Sequence, residues 1–427
     1  MKILVSAIGT HGDVLPFIAL CKEFQRQGHD VCLHTHAYFA PHVRDAGIPM
    51  KPFGAVEEYV DMVRDPDFSR PLKAWGVVAK IWNNYLPEIY QALKANVDPG
   101  RTIVIGGTLG FAHRLLQETD GVPAVTVHLS PIAMRSNFQT SRGSATDMAP
   151  HLPGWMSWLK TIEWQGIDGM FLDPLFARPF NAYRSSLGLP PVKRIFHDWM
   201  QRADLVIGMF PDWYAAIQPD WPSNLRLTGF PLYDHGNDQP LPEEVRRFLD
   251  AGDAPVGFTA GTATSSAHAF YSASVEACCR AGRRGILLTQ SPEQIPLSLP
   301  ENVSHFQYVP FGALLPKLAA FVHHGGIGTT SQALRAGVPQ LIRPMAYDQF
   351  DNALRAINLG VASELLPSRY SAKTVAKALL HLTNNQQVRE RCQYWADKLS
   401  CTDVLSNTCD VILNAFPLRS NVVDRCH

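Results

Sequence analysis

The sequence predicts an α/β protein with two Rossmann-like domains, and three features of the chain support this. Its 427 residues exceed the length at which a single hydrophobic core usually stops growing. Strand-like apolar runs alternate with amphipathic helix-like runs along most of the chain, as they do in parallel sheets. A stretch rich in Gly, Pro, Asp and Asn at residues 228–245 separates two such series and has the composition of a linker.

The first series opens with KILVSAI, which we interpret as a strand and not as a signal peptide, because no small-residue cleavage site follows it. Helix-like segments with apolar residues every three or four positions follow several of the strand-like runs. The predicted strands are residues 2–8, 30–36, 102–107, 123–130 and 203–209, and the predicted helices are residues 16–28, 38–47 and 110–121.

The second series repeats this order after the linker. Its predicted strands are residues 254–262, 285–290, 305–310, 320–326, 339–344 and 361–365, and its predicted helices are residues 269–282, 312–319, 329–337 and 371–383. We place the boundary near Asp234, which gives a first domain of residues 1–234 and a second domain of residues 235–402.

Residues 55–90 and 130–200 fit the alternation poorly and carry many bulky apolar side chains. Two interpretations are open: helices inserted into the core of the first domain, or the wall of an apolar ligand cleft. The bulky residues are Trp75, Trp82, Trp155, Met156, Trp158, Trp164, Met170 and Phe171.

The composition excludes several functional classes. Lys and Arg together number 38, as do Asp and Glu, so neither a general nucleic-acid binder nor a polybasic membrane anchor is expected. No apolar run approaches the roughly 20 residues that span a bilayer, so we expect a soluble protein. The eight cysteines lack CxxC spacing and the sixteen histidines lack metal-binding spacing. We therefore expect reduced thiols, a cytoplasmic location and no metal.

The most informative stretch is FVHHGGIGTTSQALRAGVPQLIRPMAYDQFDN at residues 321–352. In it, an apolar strand runs into a glycine-rich turn and then into a helix that we place at Thr330–Ala336, closed by Gly337. A helix N-terminus presents unpaired backbone N–H groups and a partial positive charge, and short residues let an anion approach them. The stretch therefore predicts a phosphate site.

The same stretch resembles the nucleotide-sugar signature of the inverting UDP-glycosyltransferase family, which includes plant natural-product, bacterial antibiotic and sterol glycosyltransferases. The opening GTHGDVLPFIALCKEFQRQGHDV resembles the acceptor-side motif of that family. With TGFPLYD and YVPFGALLP, the resemblance covers essentially the whole chain. It implies the GT-B fold, in which two Rossmann-like domains face each other across a cleft, with residues 403–427 crossing back to the first domain. It also implies a nucleotide-sugar co-substrate and no other cofactor.

The resemblance implies a diphosphate contact at His324. The backbone around Gly326, Gly328 and Thr329, together with the Thr329 hydroxyl, would complete this phosphate cradle. His323 lies beside it at the end of the strand, and we interpret His323 as structural. A glycine turn that serves only packing is the alternative interpretation of this stretch.

Asp348 and Gln349 match the pair that hydrogen-bonds the sugar hydroxyls in this family. A carboxylate that accepts from two neighbouring hydroxyls, beside an amide that both donates and accepts, suits this task. The alternative is that the two residues cap a polar loop.

The remaining donor contacts also follow from the resemblance. Tyr308 falls where many plant members have a tryptophan that stacks on the base, and recognition of the base edge would pass to backbone groups near Val309. Gln332 replaces a glutamate that holds the ribose hydroxyls in plant members. Gly261 and Thr262, at the first turn of the second domain, resemble a further diphosphate contact.

The family needs a base that takes the proton of the acceptor hydroxyl. The resemblance places Asp13 at this position, three residues before Pro16, and His11 is the competing candidate. The alternative for Asp13 is an N-cap of a helix that begins near Val14. Plant members orient a catalytic His with a later carboxylate, and the corresponding stretch VIGGTLGFAH has none, which counts against His11.

Three further blocks, PVKRIFHDWM, TGFPLYD and FGALLP, are similar to bacterial rhamnosyltransferases of rhamnolipid synthesis. This implies transfer of rhamnose from dTDP-rhamnose to a hydroxylated acyl chain, with UDP-sugar donors and aromatic, sterol or polyketide-type acceptors as alternatives. An epimerase on the same plan would not need the opening motif. A non-catalytic nucleotide-sugar-binding partner subunit would not need the full set of candidate residues. A peripheral contact with the inner membrane surface or a partner protein stays open, as does the oligomeric state.

Overall fold

The computed structural model describes residues 1–139, 141–145, 147, 154–233, 240–261, 267–400 and 403–417. Within these residues, the chain forms two separate parallel sheets, one in each half of the sequence. This confirms the predicted α/β class. No helix in the described ranges is both long and apolar enough to cross a bilayer.

The first half contains a seven-stranded sheet. Its strands, β1 to β7 in chain order, are Lys2–Ala7, Asp30–His36, Met50–Phe53, Thr102–Gly107, Ala124–His128, Leu205–Gly208 and Leu225–Leu227. They lie in the order β3-β2-β1-β4-β5-β6-β7, and every pairing is parallel. Strands β4, β5 and β6 are buried along their full lengths, as expected where both faces of a parallel sheet are covered.

The second half contains a six-stranded sheet. Its strands, β8 to β13, are Val256–Thr259, Gly285–Leu288, Val303–Phe306, Ala320–His323, Gln340–Ile342 and Ala362–Glu364. They lie in the order β10-β9-β8-β11-β12-β13, again with every pairing parallel.

Helices connect the strands in both halves. In the first half, α1 to α7 are His11–Arg26, Ala40–Asp45, Val56–Arg64, Pro71–Lys94, Phe111–Asp120, Ser157–Ile167 and Arg178–Ser186. In the rest of the chain, α8 to α15 are Glu243–Asp250, His268–Ala281, Phe311–Leu314, Ile327–Arg335, Gln349–Asn358, Ala372–Asn384, Gln386–Leu399 and Val404–Ala415. Two π-helical segments, Asp168–Ala177 and Ile195–Trp199, follow α6 and α7.

Two strands were not predicted. Strand β3 has only Phe53 buried and contains a proline, and β7 has only three residues, so neither shows the apolar run that marks the other strands. Helix α11 begins at Ile327, three residues before the predicted start at Thr330. It begins earlier because Gly326 serves as the N-cap residue.

The two halves share one hydrophobic cluster. It combines first-half residues such as Phe210 and Phe230 with Leu334, Ile342 and Trp395 of the second half. Helix α15 returns to the first half, where Cys409 and Ile412 are buried in the core beside Phe24. The predicted boundaries at residues 234 and 402 fall outside the described residues and stay predictions.

The strand order of each sheet reverses once, between β1 and β4 in the first and between β8 and β11 in the second. At such a reversal, the connections on the two sides diverge and leave a crevice at the carboxyl ends of the strands, where ligands of open α/β sheets bind. The residues that follow β1, β4, β8 and β11 are therefore the expected ligand contacts.

Candidate active site

One cavity of about 2500 Å³ is lined by residues that follow the strand ends in both sheets. Every predicted site residue that the structure describes lines this cavity. These residues are His11, Asp13, Gly261, Tyr308, Val309, His324, Gly326, Gly328, Thr329, Gln332, Asp348 and Gln349. The predicted Thr262 lies outside the described residues.

His324 is held between two glycines at the end of β11. A Cβ atom on Gly261 would lie 2.7 Å from Nδ1 of His324, and one on Gly326 would lie 2.6 Å from its Nε2. Gly261 also has a φ of +88°, which L side chains rarely adopt. These two glycines are therefore explained by the space that the imidazole occupies.

The ring of His324 is placed to meet a ligand. Its buried Nδ1 has no hydrogen-bond partner among the described residues. Burial lowers the pKa of His324 to about 4, so the imidazole is neutral at pH 7. The neighbouring His323 differs: its Nε2 contacts Oε1 of Gln340 at 2.9 Å, and its Nδ1 accepts from the Gly325 N–H at 3.0 Å.

The N-terminus of α11 opens into the same cavity. A Cβ added at Gly328 would meet no protein atom within 4 Å, so packing does not explain this glycine. Gly328 and the half-buried Thr329 lie in the first turn, where backbone N–H groups have no partner within the helix. The bare turn leaves room for a diphosphate to approach these groups.

The side chain of Asp348 caps the first turn of α11. Its Oδ2 accepts hydrogen bonds from the Ile327 N–H at 3.1 Å and from Nδ2 of Asn352 at 2.8 Å. Burial raises the pKa of Asp348 to about 7, and the nearby Asp13 carboxylate adds to the rise, while the hydrogen bonds oppose it. The residue is therefore partly protonated at neutral pH.

The side-chain oxygen of Gln349 is occupied by the preceding loop. It accepts from the backbone N–H groups of Met345 at 2.7 Å and Ala346 at 3.1 Å. What Gln349 can offer a ligand is therefore its amide N–H. Between the loop and Asp348 lies Tyr347, a non-glycine residue with a φ of +58°.

The predicted nucleoside contacts also line the cavity. Tyr308 is 48% exposed, whereas Val309 is buried. Nε2 of Gln332 donates to the Tyr233 carbonyl at 3.3 Å, so this amide helps to tie α11 to the chain segment that leaves the first half. Its side-chain oxygen can still accept a hydrogen bond from a ligand.

Asp13 lies in the first turn of α1, at the third helical position and not at the N-cap. The helix begins at His11, with Thr10 as its N-cap residue. The carboxylate accepts from the Thr10 N–H at 2.8 Å and from the Thr10 hydroxyl at 3.1 Å. Burial raises the pKa of Asp13, and both hydrogen bonds oppose the rise. Gly9 has a φ of +137°, and a Cβ there would lie 2.4 Å from this carboxylate.

His11 has different surroundings from Asp13. Its ring packs edge-on against Tyr38, Phe39 and His42, with centroid distances of 5.2–5.5 Å. Burial and the neighbouring His42 lower the pKa of His11 to about 4. A proton acceptor with this pKa is weak at pH 7.

The first-half wall of the cavity is largely apolar, and it contains many of the bulky residues singled out in the sequence. The residues on this wall include Trp75, Trp82, Trp164, Met170, Phe171 and Phe196. Trp82 also belongs to the hydrophobic core, whereas Trp155 and Trp158 are exposed. Each of the two sequence interpretations therefore holds for part of the set.

Two residues that organise the site were not found from the sequence. Asn352 donates to Asp348 and to the Gly325 carbonyl at 2.9 Å, and its oxygen accepts from the Tyr214 hydroxyl at 3.0 Å. The Tyr347 hydroxyl donates to the Phe68 carbonyl at 3.0 Å and so joins the two halves across the cavity. The feature of the sequence that could have identified Asn352 is its position one helical turn after Asp348.

Comparison with known proteins places the chain in a known enzyme class. Residues 3–139 match the glycosyltransferase family 28 N-terminal domain, and residues 286–406 match the erythromycin biosynthesis protein CIII-like, C-terminal domain. The chain is 26% identical to the O-mycaminosyltylonolide 6-deoxyallosyltransferase of Streptomyces fradiae, over 96% of its own length and 97% of that enzyme. The chain is a GT-B glycosyltransferase.

The glycosyltransferase is also 26% identical to a sterol 3-beta-glucosyltransferase of Candida albicans over 92% of its own length, but it spans only 26% of that protein. Its fold is similar to the crystal structure of the glycotransferase of kitacinnamycin, with a TM-score of 0.75 and 20% identity over 97% of this chain and 99% of the other. The predicted GT-B fold and enzyme class are confirmed. The finer similarity to rhamnolipid rhamnosyltransferases stays a prediction.

The geometry around His324 predicts weaker nucleotide binding in a His324→Ala variant. Loss of one neutral or charge-assisted hydrogen bond to the diphosphate should cost roughly 1–3 kcal/mol of binding free energy. Calorimetry with UDP and dTDP measures this. His324→Leu fills more of the space between the two glycines and should lose the same affinity, whereas His381→Ala, on the exposed side of α13, should lose none. Unchanged affinity for both nucleotides would remove His324 from the phosphate cradle.

The environment of Asp348 predicts a pH-dependent stability difference. Because its pKa is about 7 in the folded protein, the folded state keeps a proton that the unfolded chain releases near pH 4. This contribution to the free energy of unfolding therefore falls as pH rises from about 4 to about 7. The Asp348→Asn side chain cannot ionise. The melting temperature of this variant minus that of the wild type should therefore increase between pH 5 and pH 8. A pH-independent difference would contradict the assignment.

Proposed function

We propose that the glycosyltransferase moves a hexose, with inversion, from dTDP-rhamnose or a UDP-sugar to a hydroxyl of an apolar, lipid-like acceptor. One observation carries the proposal: a single cavity joins a helix N-terminus suited to anions and two half-buried carboxylates, those of Asp13 and Asp348, to a wide apolar wall. The helix N-terminus and the two carboxylates suit a nucleotide sugar, and the apolar wall suits an acceptor with little polarity.

The donor would lie against the second half. The N-terminus of α11 and the neutral His324 would hold the diphosphate, and Tyr308, which lines the same cavity, would contact the base. Asp348 and the Gln349 amide would bind the sugar hydroxyls. The crystal structure of the spinosyn rhamnosyltransferase SpnG complexed with thymidine diphosphate aligns with this chain at a TM-score of 0.66, with 15% identity over 96% of this chain and all of the other, which supports the fold.

Asp13 would act as the general base. As the acceptor oxygen attacks the anomeric carbon, its O–H bond breaks and the proton passes to the Asp13 carboxylate. The bond between the anomeric carbon and the diphosphate oxygen breaks at the same time, and the electron pair leaves with the diphosphate. The positive end of α11 stabilises that charge. Attack from the face opposite the leaving group inverts the configuration.

Aromatic, sterol and polyketide-type acceptors form the second candidate class. The relatives named above act on a tylonolide derivative and, in Candida albicans, on a sterol, as their names state. The cavity volume of about 2500 Å³ is large enough for either class beside a nucleotide sugar. What favours an acyl chain is the largely apolar and aromatic first-half wall. The predicted resemblance of three sequence blocks to rhamnolipid enzymes agrees with this choice.

Donor and acceptor identity can be tested together. Thermal shifts with a panel of nucleotide sugars should single out dTDP-rhamnose or a UDP-hexose as the stabilising donor. With that donor, transfer to 3-hydroxydecanoic acid should exceed transfer to a sterol, a flavonoid or glucose. Faster transfer to the sterol or flavonoid would establish the second class of acceptor. Faster transfer to glucose than to any apolar alcohol would overturn both.

The base assignment predicts a large and specific loss in Asp13→Asn. The variant keeps the side-chain shape and much of the interaction with Thr10 but cannot accept the proton, so kcat should fall roughly 10²-fold or more at near-normal donor affinity and melting temperature. Asp61→Asn, which changes another carboxylate in the cavity, is the matched control and should keep its turnover.

The competing base is examined with His11→Ala. A folded but inactive His11→Ala, beside an Asp13→Asn that keeps most of its activity, would move the catalytic role to His11. If both variants keep their turnover, neither residue is the base.

A further inference from the structure

A hydrogen-bonded chain of three side chains starts at the cavity and runs into the core. Thr108 follows β4 at the strand-order reversal and lines the cavity. Its hydroxyl lies 2.9 Å from Nδ1 of the fully buried His128, and Nε2 of His128 lies 3.1 Å from Oε1 of Gln201. The proposed mechanism does not use any of the three residues.

The direction of these hydrogen bonds follows from Gln201. Its Nε2 donates to the carbonyls of Ala133 at 3.2 Å and Phe196 at 2.9 Å. The opposite amide orientation would set its oxygen against two carbonyl oxygens, so Oε1 must be the atom that faces His128. An oxygen there accepts from an N–H, which places the His128 proton on Nε2.

The tautomer of His128 in turn orients the Thr108 hydroxyl. With its proton on Nε2, His128 presents a lone pair at Nδ1, and Thr108 must donate to it. Burial lowers the pKa of His128 to about 4, so the imidazole stays neutral at pH 7 and the direction holds. The single hydrogen of Thr108 is therefore committed to the core, and its remaining lone pairs are what it can offer the cavity.

The residues that follow Thr108 and His128 in the chain are apolar. These residues, Leu109 and Leu129, both line the cavity. An oxygen that can only accept, on such a wall, favours a ligand that brings an O–H or N–H group to that point.

We propose that Thr108 is a specificity-determining residue that binds a hydrogen-bond donor group of the acceptor, separate from the hydroxyl that reacts. His128 and Gln201 act as positioning residues through it. The reacting hydroxyl has one hydrogen, which goes to Asp13 in the proposed mechanism, so Thr108 needs a second donor. This inference rests on the proposed function, because it assumes that the acceptor occupies the first-half wall.

The test compares alcohols that differ only in a second hydroxyl. 1-Octanol and the 1,2-, 1,3- and 1,4-octanediols are titrated by calorimetry into the wild type saturated with dTDP, so that no transfer occurs. One diol should bind about tenfold more tightly than 1-octanol, as one hydrogen bond allows. The preference should vanish in Thr108→Val and persist in Thr108→Ser.

The chain offers a matched control in a second Thr–His pair. Thr126 Oγ1 lies 2.9 Å from Nε2 of His113, and both residues are fully buried. Thr126→Val therefore removes a Thr–His contact of the same length without altering the cavity wall, and it should keep the diol preference. If Thr126→Val also lost the diol preference, the preference would depend on the packing of the first half and not on Thr108. This result would overturn the proposal.

The positioning role has its own measurement. In ¹⁵N spectra of the histidine-labelled protein, with His128 assigned by its loss in His128→Gln, the ring should be neutral with its proton on Nε2. Gln201→Leu should lower the diol preference. The opposite tautomer, or equal binding of all four alcohols, would overturn the proposal. If none of the four alcohols binds, both the apolar acceptor and this inference fail.

Discussion

The geometry of the cleft depends on the hydrogen bonds of one buried amide, that of Asn352. Its N–H groups hold the Asp348 carboxylate and the Gly325 carbonyl, and its oxygen accepts from the Tyr214 hydroxyl of the first half. The residue is fully buried, and a partly satisfied amide there would cost free energy, so its position is tightly defined. Through Asp348, the same amide sets where α11 begins, because that carboxylate caps the Ile327 N–H. The N-terminus of α11, where we propose that the diphosphate binds, and Asp348, which we propose binds the sugar, thus share one support that also reaches the first half.

Glycines shape the cleft by making room for polar side chains. The His324 ring occupies space that a Cβ atom on Gly261 or Gly326 would fill. The Asp13 carboxylate likewise occupies space that a Cβ atom on Gly9 would fill. Both polar groups are partly desolvated as a result, which lowers the pKa of the imidazole and raises that of the carboxylate. The imidazole of His324 does not titrate near pH 7. It can therefore donate a hydrogen bond to a diphosphate in the same neutral form throughout this pH range. A carboxylate with a raised pKa is a better proton acceptor for an alcohol. The same packing constraint therefore sets both the shape and the protonation of the site.

Much of the fold and many of the residues around the cavity could be predicted from the sequence. Apolar runs such as TIVIGG coincide with the strand Thr102–Gly107, because a strand covered on both faces must be apolar throughout. Strand β3 escaped prediction because only one of its four residues is buried and because it contains a proline. The glycine-rich turn predicted an anion site in the second half, because a strand, a glycine turn and a helix in this order leave backbone N–H groups open to a ligand. Asn352 and Gln201 were not found from the sequence, because partners that give them their roles lie far away along the chain: Tyr214 is 138 residues from Asn352, and His128 is 73 residues from Gln201. Thr108 was not found because its role depends on the direction of the Gln201 amide.

The arrangement of the two sheets gives the proposed transfer a direction for charge. Asp13 and Asp348 lie close enough for the charge of Asp13 to raise the pKa of Asp348, so the cleft disfavours two negative charges at once. In the proposed mechanism, Asp13 takes the acceptor proton and loses its charge while a charge develops on the leaving diphosphate. That diphosphate would lie at the N-terminus of α11, where the helix dipole favours an anion. The proposed proton transfer would therefore relieve the repulsion between the carboxylates at the step at which the leaving group departs.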